Sequence, residues 1–114
     1  MTLVCGRVNF FSGPHLVFKY WLRGKFMRII IVGCGKVGSS IASELNLEGH
    51  EISVVDINHG AVDKLANSLD VLGIEGNGAT YDVLIEAGAE YADLLIAATA
   101  RDEINLYSCL MAKA

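Results

Sequence analysis

The chain has 114 residues, 53% of them hydrophobic and 19% charged, with a formal net charge of −4. That composition suits one domain with a packed core and excludes a disordered tail. Residues 27–114 hold five basic and thirteen acidic groups, a net −8, which repels nucleic-acid backbones and excludes a role in binding them.

Residues 1–26 differ in character from the rest. They carry Arg7, Lys19, Arg23 and Lys25 with no acid, six aromatic side chains, and no clear helical period or strand alternation. Pro14, His15, Lys19 and Arg23 interrupt any apolar run, so neither a signal peptide nor a transmembrane helix fits. The expectation is a leader foreign to the domain, with Met27 as the natural start. The alternative is a basic, aromatic segment that rests on a membrane surface or a partner.

From Met27 onward strands and helices alternate. A first strand is expected at about 28–33, then a helix with Val37, Ile41 and Leu45 on one face, ended by Gly49 and His50. A second strand at about 51–56 leads to a helix capped by Asn58, with Val62, Leu65, Ala66 and Leu69 as its apolar stripe. A short third strand, Val71 to Ile74, is followed by a short helix with Val83, Leu84 and Ala87 that stops at Gly88. The fourth strand, about 93–98, is apolar throughout, as expected for a strand buried on both faces. A last helix starts near Asp102, and its Ile104, Leu106, Tyr107, Leu110 and Met111 spread over more than one face. That breadth points to a second contact, a further subunit or further strands.

Four strands alternating with helices over short connections predict an α/β, doubly wound parallel sheet of Rossmann type. Ligands on such sheets lie outside the carboxyl ends of the strands. The first strand opens into Gly33, Cys34, Gly35, Lys36, Val37 and Gly38, a G-x-G-x-x-G placed between strand and helix. The first Gly permits the turn, the second lets a pyrophosphate approach the backbone, and the third lets the helix pack closely. Phosphate then meets a helix N-terminus, whose free N–H groups favour an anion. Asp56, 18 positions beyond Gly38 at the end of the second strand, is placed to accept hydrogen bonds from ribose hydroxyls. Lys36 either touches a phosphate or is simply solvated. Cys34 is either a thiol with a lowered pKa at a helix start or a small residue beside the ligand.

Cys5, Cys34 and Cys109 are odd in number and widely spaced, which argues against a zinc site or a disulfide scaffold and suits a reducing cytosol. His15, His50 and His59 lack metal-ligand spacing and read as surface groups. No residue set reads as catalytic.

Five blocks carry a family resemblance: Met-Arg-Ile-Ile-Ile-Val-Gly-Cys-Gly-Lys-Val-Gly at 27–38, Val-Val-Asp-Ile-Asn at 54–58, Gly-Asn-Gly-Ala-Thr-Tyr-Asp-Val-Leu-Ile-Glu-Ala-Gly at 76–88, Ala-Asp-Leu-Leu-Ile-Ala-Ala-Thr at 92–99, and Asp-Glu-Ile-Asn-Leu at 102–106. On these the sequence resembles the RCK/KTN family, of TrkA N-terminal type, the nucleotide-binding domains of cytosolic regulators of potassium channels and transporters. The resemblance implies NAD(H), or in relatives ATP and ADP, held by residues 33–38, Asp56, Thr99 and Ala100. Asn77 stands where many relatives place Asp, and is a further candidate contact. It also implies a cytoplasmic homo-dimer or higher homo-oligomer on the inner face of the membrane, gating a potassium transporter or channel subunit rather than turning over a substrate. The family's domain usually continues through two more strands beyond the position of Ala114, so residues 27–114 are expected to be a partial domain. A different class, the cofactor half of an NAD-dependent oxidoreductase, fits the Gly loop alone.

Overall fold

The computed structural model describes residues 2–6, 10–12 and 26–113. Six strands form one sheet: β1 (Leu3–Gly6), β2 (Phe10–Ser12), β3 (Arg28–Val32), β4 (Glu51–Asp56), β5 (Leu72–Glu75) and β6 (Leu94–Ala97). Among the described residues, four helices join or follow them: α1 (Lys36–Leu47), α2 (His59–Ser68), α3 (Tyr81–Glu86) and α4 (Asp102–Lys113). The sheet order is β2-β1-β6-β3-β4-β5. Strands β6, β3, β4 and β5 run parallel, which is the doubly wound core expected from the alternation.

Strand β3 lies at the centre because its sequence allows nothing else. Ile29, Ile30, Ile31 and Val32 are all buried, and in a pleated strand successive side chains point to opposite faces. Ile29 and Ile31 join Val54 and Ile96 beneath Ile41, Ala42 and Leu45 of α1 and Val62 and Leu65 of α2. Ile30 and Val32 join Val55, Ile74 and Leu95 beneath Leu84 of α3 and Cys109 of α4. Each such side chain contributes about 1.5–3 kcal/mol when fully buried, so the strand specifies two cores at once.

The structure departs from the sequence-based expectations at three places. Residues 3–6, for which no strand was expected, pair antiparallel with β6 in the register Val4↔Ile96 and with β2 on their other side. Val4 enters one core, Leu3 and Cys5 the other. Val37 is exposed rather than on the apolar face of α1; it sits in the first turn, and the buried residues of that helix are Gly38, Ile41, Ala42 and Leu45. His50 is buried, not at the surface: its Nδ1 accepts the N–H of Met27 at 3.0 Å, a donor at the entry to β3 that would otherwise lack a partner. His59 is exposed between Asp63 and Glu75, and His15 lies outside the described residues.

Helix α4 divides its residues unevenly between core and surface. Its fully buried residues are Asn105, Ser108 and Cys109, whereas Leu106, Tyr107 and Leu110 are about half exposed. The inward face is therefore small and polar, and the apolar face looks outward. Among the described residues no helix is long and apolar enough to cross a membrane.

Candidate functional site

The carboxyl ends of β3, β4, β5 and β6 enclose a crevice of about 390 Å³. Gly33, Gly35, Asp56, Asn77, Thr99 and Ala100, six of the residues singled out from sequence, line it together. The other four stand around it. Cys34 is buried in the core, Lys36 and Val37 are exposed on the first turn of α1, and Gly38 is buried. A second hollow, of about 420 Å³, lies at the amino ends of the strands among Arg28, Glu51, Ser53 and Tyr91, away from these loops.

Local geometry explains the Gly spacing. Gly33 extends the ladder, donating its N–H to Val55 O at 2.7 Å, and then turns at φ +109°, a conformation that side chains rarely allow. A Cβ on Gly33 would also lie 2.9 Å from the Ala98 carbonyl, so the loops after β3 and β6 are in direct backbone contact. At Gly35 an added Cβ would meet nothing within 4 Å, and it is here that the chain faces open space. Gly35 caps α1 without any side-chain hydrogen bond, and no acid stands in the first turn. The positive end of that helix is thus left to whatever occupies the crevice.

Asp56 holds the loop in place. Its Oδ2 accepts the Cys34 N–H at 2.7 Å and its Oδ1 accepts the Asn58 N–H at 2.9 Å, so one carboxylate ties the Gly loop to the start of α2. Each oxygen keeps lone-pair capacity for a further donor. Asn58 caps α2 as expected, accepting the Ala61 N–H at 3.1 Å. Burial, and after it the charge of Asp56, push the Cys34 thiol up to about 12. It stays protonated at neutral pH, which removes the lowered-pKa alternative. Asn77 folds its own loop, with Oδ1 accepting the Ala79 N–H at 2.9 Å and its carbonyl accepting from Thr80.

Two residues beyond the end of β6 were missed by sequence reasoning: Arg101, which lines the crevice, and Asn105. Asn105 carried no assigned role, yet its Oδ1 accepts both the Thr99 N–H at 2.9 Å and the Thr99 hydroxyl at 2.6 Å, while its Nδ2 donates to the Thr99 carbonyl at 3.2 Å. A fully buried amide of α4 therefore clamps the crevice loop after β6. The sequence signals were its place in the Asp-Glu-Ile-Asn-Leu block at 102–106 and an amide among apolar residues in the last helix.

Residues 29–114 match the family model described as the TrkA-N domain. The chain is 42% identical over 83 residues to the Trk system potassium uptake protein TrkA of Azorhizobium caulinodans, covering 73% of this chain and 18% of that protein. Identity to the protein of the same name from Vibrio alginolyticus is 41% over 86 residues, covering 75% and 19%. A Trk system potassium uptake protein TrkA homolog from Methanothermobacter thermautotrophicus is 37% identical over 87 residues, covering 76% and 40%. The chain thus spans less than a fifth of the length of the two bacterial relatives. A match over three quarters of its residues, on a parallel sheet whose strand ends carry the Gly loop, means that the chain belongs to the TrkA-N domain family.

Proposed function

We propose that this chain is a cytoplasmic nucleotide-sensing domain that regulates potassium uptake, binding NAD(H) or ATP/ADP and biasing a membrane transporter or channel subunit rather than catalysing a reaction. The observation that carries the reading is the crevice: an open Gly35, a first turn of α1 with no side-chain cap, and Asp56 at the neighbouring strand end. Phosphates would meet the helix N-terminus and the ribose hydroxyls would meet Asp56. Among the described residues of the lining the titratable side chains are Asp56 and Arg101, and the Asp56 oxygens are engaged by backbone N–H groups. The names of the TrkA relatives supply the potassium uptake context. A ligand would act only through different affinities for two arrangements of its partners.

Calorimetric titration with NADH, NAD, ATP and ADP tests the reading, and absence of binding at millimolar concentration would end it. The ribose role of Asp56 has its own test. A hydrogen bond to a charged group contributes about 1.5–3 kcal/mol, so Asp56→Ala should weaken NADH about ten- to hundredfold. NADPH should lose little, because the same substitution removes the repulsion of its 2′-phosphate. Equal losses for the two would leave Asp56 as a loop tether only.

The outward face of α4 supports association of this domain with a second copy or with its partner. Leu106, Tyr107 and Leu110 are each about half exposed on adjacent turns. Light scattering is expected to report a dimer or larger species, with Leu106→Glu and Leu110→Glu together shifting it to monomer. A clean monomer at high concentration would count against the interface.

A further inference from the structure

Among the described residues that line the crevice, Arg101 is the only Lys, Arg or His, and Lys36, the cation of the Gly loop, is not one of them. The wall opposite carries Asp56, whose charge repels any phosphate brought into the same space. A phosphorylated ligand therefore needs a compensating cation on the β6 side, and Arg101 is the residue there to supply it.

The backbone at Arg101 is fixed. Its N–H donates to Thr99 Oγ1 at 3.2 Å and its carbonyl accepts the Asn105 N–H at 3.2 Å, so it belongs to the clamped loop. The side chain, in contrast, is held only by Glu103. Both Nε and Nη2 lie 2.7 Å from the same oxygen, Oε1, and both side chains are more than half exposed. An exposed pair of this kind is weakly held and readily exchanged. A guanidinium presents its donors as a planar fork that matches two phosphate oxygens better than a single carboxylate oxygen.

Resting on the nucleotide reading above, we propose that Arg101 is the phosphate-anchoring residue of the crevice, with Glu103 as its resting partner. On binding, the guanidinium exchanges the Glu103 oxygen for phosphate oxygens, so the site selects phosphorylated nucleotides over nucleosides. Glu103 then acts as a competitor that sets the affinity.

The test uses the full chain with ADP, AMP and adenosine, followed by calorimetry and, for weak ligands, by ligand-detected NMR. Arg101→Ala should weaken ADP about tenfold and flatten its salt dependence, while adenosine affinity stays within about twofold. Arg101→Lys should fall between, since it keeps the charge and loses the fork. Glu103→Gln should strengthen ADP severalfold and leave adenosine unchanged. If the unaltered chain binds all three ligands and Arg101→Ala changes nothing, or weakens adenosine by the same factor, the assignment is overturned and the nucleotide reading survives. If the unaltered chain binds none of them, both fall together.

Discussion

Replacing Gly38 with Ala is expected to destabilise the domain by about 3 kcal/mol or more and to abolish ligand binding. The added Cβ would stand 1.8 Å from the Gly33 carbonyl oxygen and 2.8 Å from its carbon, both backbone atoms. Gly33 has little room to retreat, because the space on its Cβ side is already closed by the Ala98 carbonyl and the Thr99 nitrogen, which an added Cβ would meet at 2.9 and 3.0 Å. Relief therefore requires α1 to lift away from the end of β3, taking Ile41, Ala42 and Leu45 partly out of the core. Gly35→Ala is the matched control. Its Cβ would meet nothing within 4 Å, so the fold should survive while a ligand approaching that backbone is obstructed. Urea unfolding of both variants, with NADH and ADP titrations, separates the two roles. A Gly38→Ala variant as stable as the unaltered chain would mean that the loop packs differently.

The contrast between these two glycines also shows what was legible in the sequence. Order and type of the elements from β3 to α4 follow from local patterns: the apolar runs of β3 and β6, the Asn58 cap and the Gly spacing each report on a backbone conformation within a few residues. The gathering of Gly33, Asp56, Asn77 and Thr99 into one crevice followed from topology, since all stand at carboxyl ends of parallel strands. What stayed hidden depends on partners distant in sequence. His50 reads as a surface group because nothing nearby announces that Met27 needs an acceptor 23 positions away. Asn105 reads as an interruption of an apolar helix until the loop at Thr99 is seen against it. Asp56 fits a ribose contact by spacing, but its two backbone bonds become visible only when the Gly loop folds over it. In α4, the breadth of the apolar residues left the inward face unassigned, and that face is taken by the small and polar side chains of Asn105, Ser108 and Cys109.

Strand β1 is the largest of these long-range effects and carries the last expectation. From sequence, residues 1–26 appear dispensable; from the structure, their removal should cost about 2–4 kcal/mol. Leu3, Val4 and Cys5 are all buried, divided between the two cores, and burial of a Val or Leu contributes about 1.5–3 kcal/mol. Ordering the short strand costs about 1–2 kcal/mol per residue, which offsets part of that gain but not the ladder it completes. Without β1, the strand Leu94–Ala97 becomes an open edge whose unpaired backbone N–H and C=O groups face solvent beside an apolar strand, an edge that templates aggregation. The crevice should suffer less, because the Thr99 loop is held by Asn105 of α4 rather than by β1. The deletion of residues 1–26 is therefore expected to unfold at lower urea concentration and to aggregate on gel filtration, while its folded fraction binds nucleotide with nearly unchanged affinity. Val4→Asp in the full chain should reproduce the stability loss, since it places a charge in the core formed by Ile29, Ile31 and Ile96. A deletion as stable and monodisperse as the full chain would show that β6 tolerates an open edge and that β1 only lies along it.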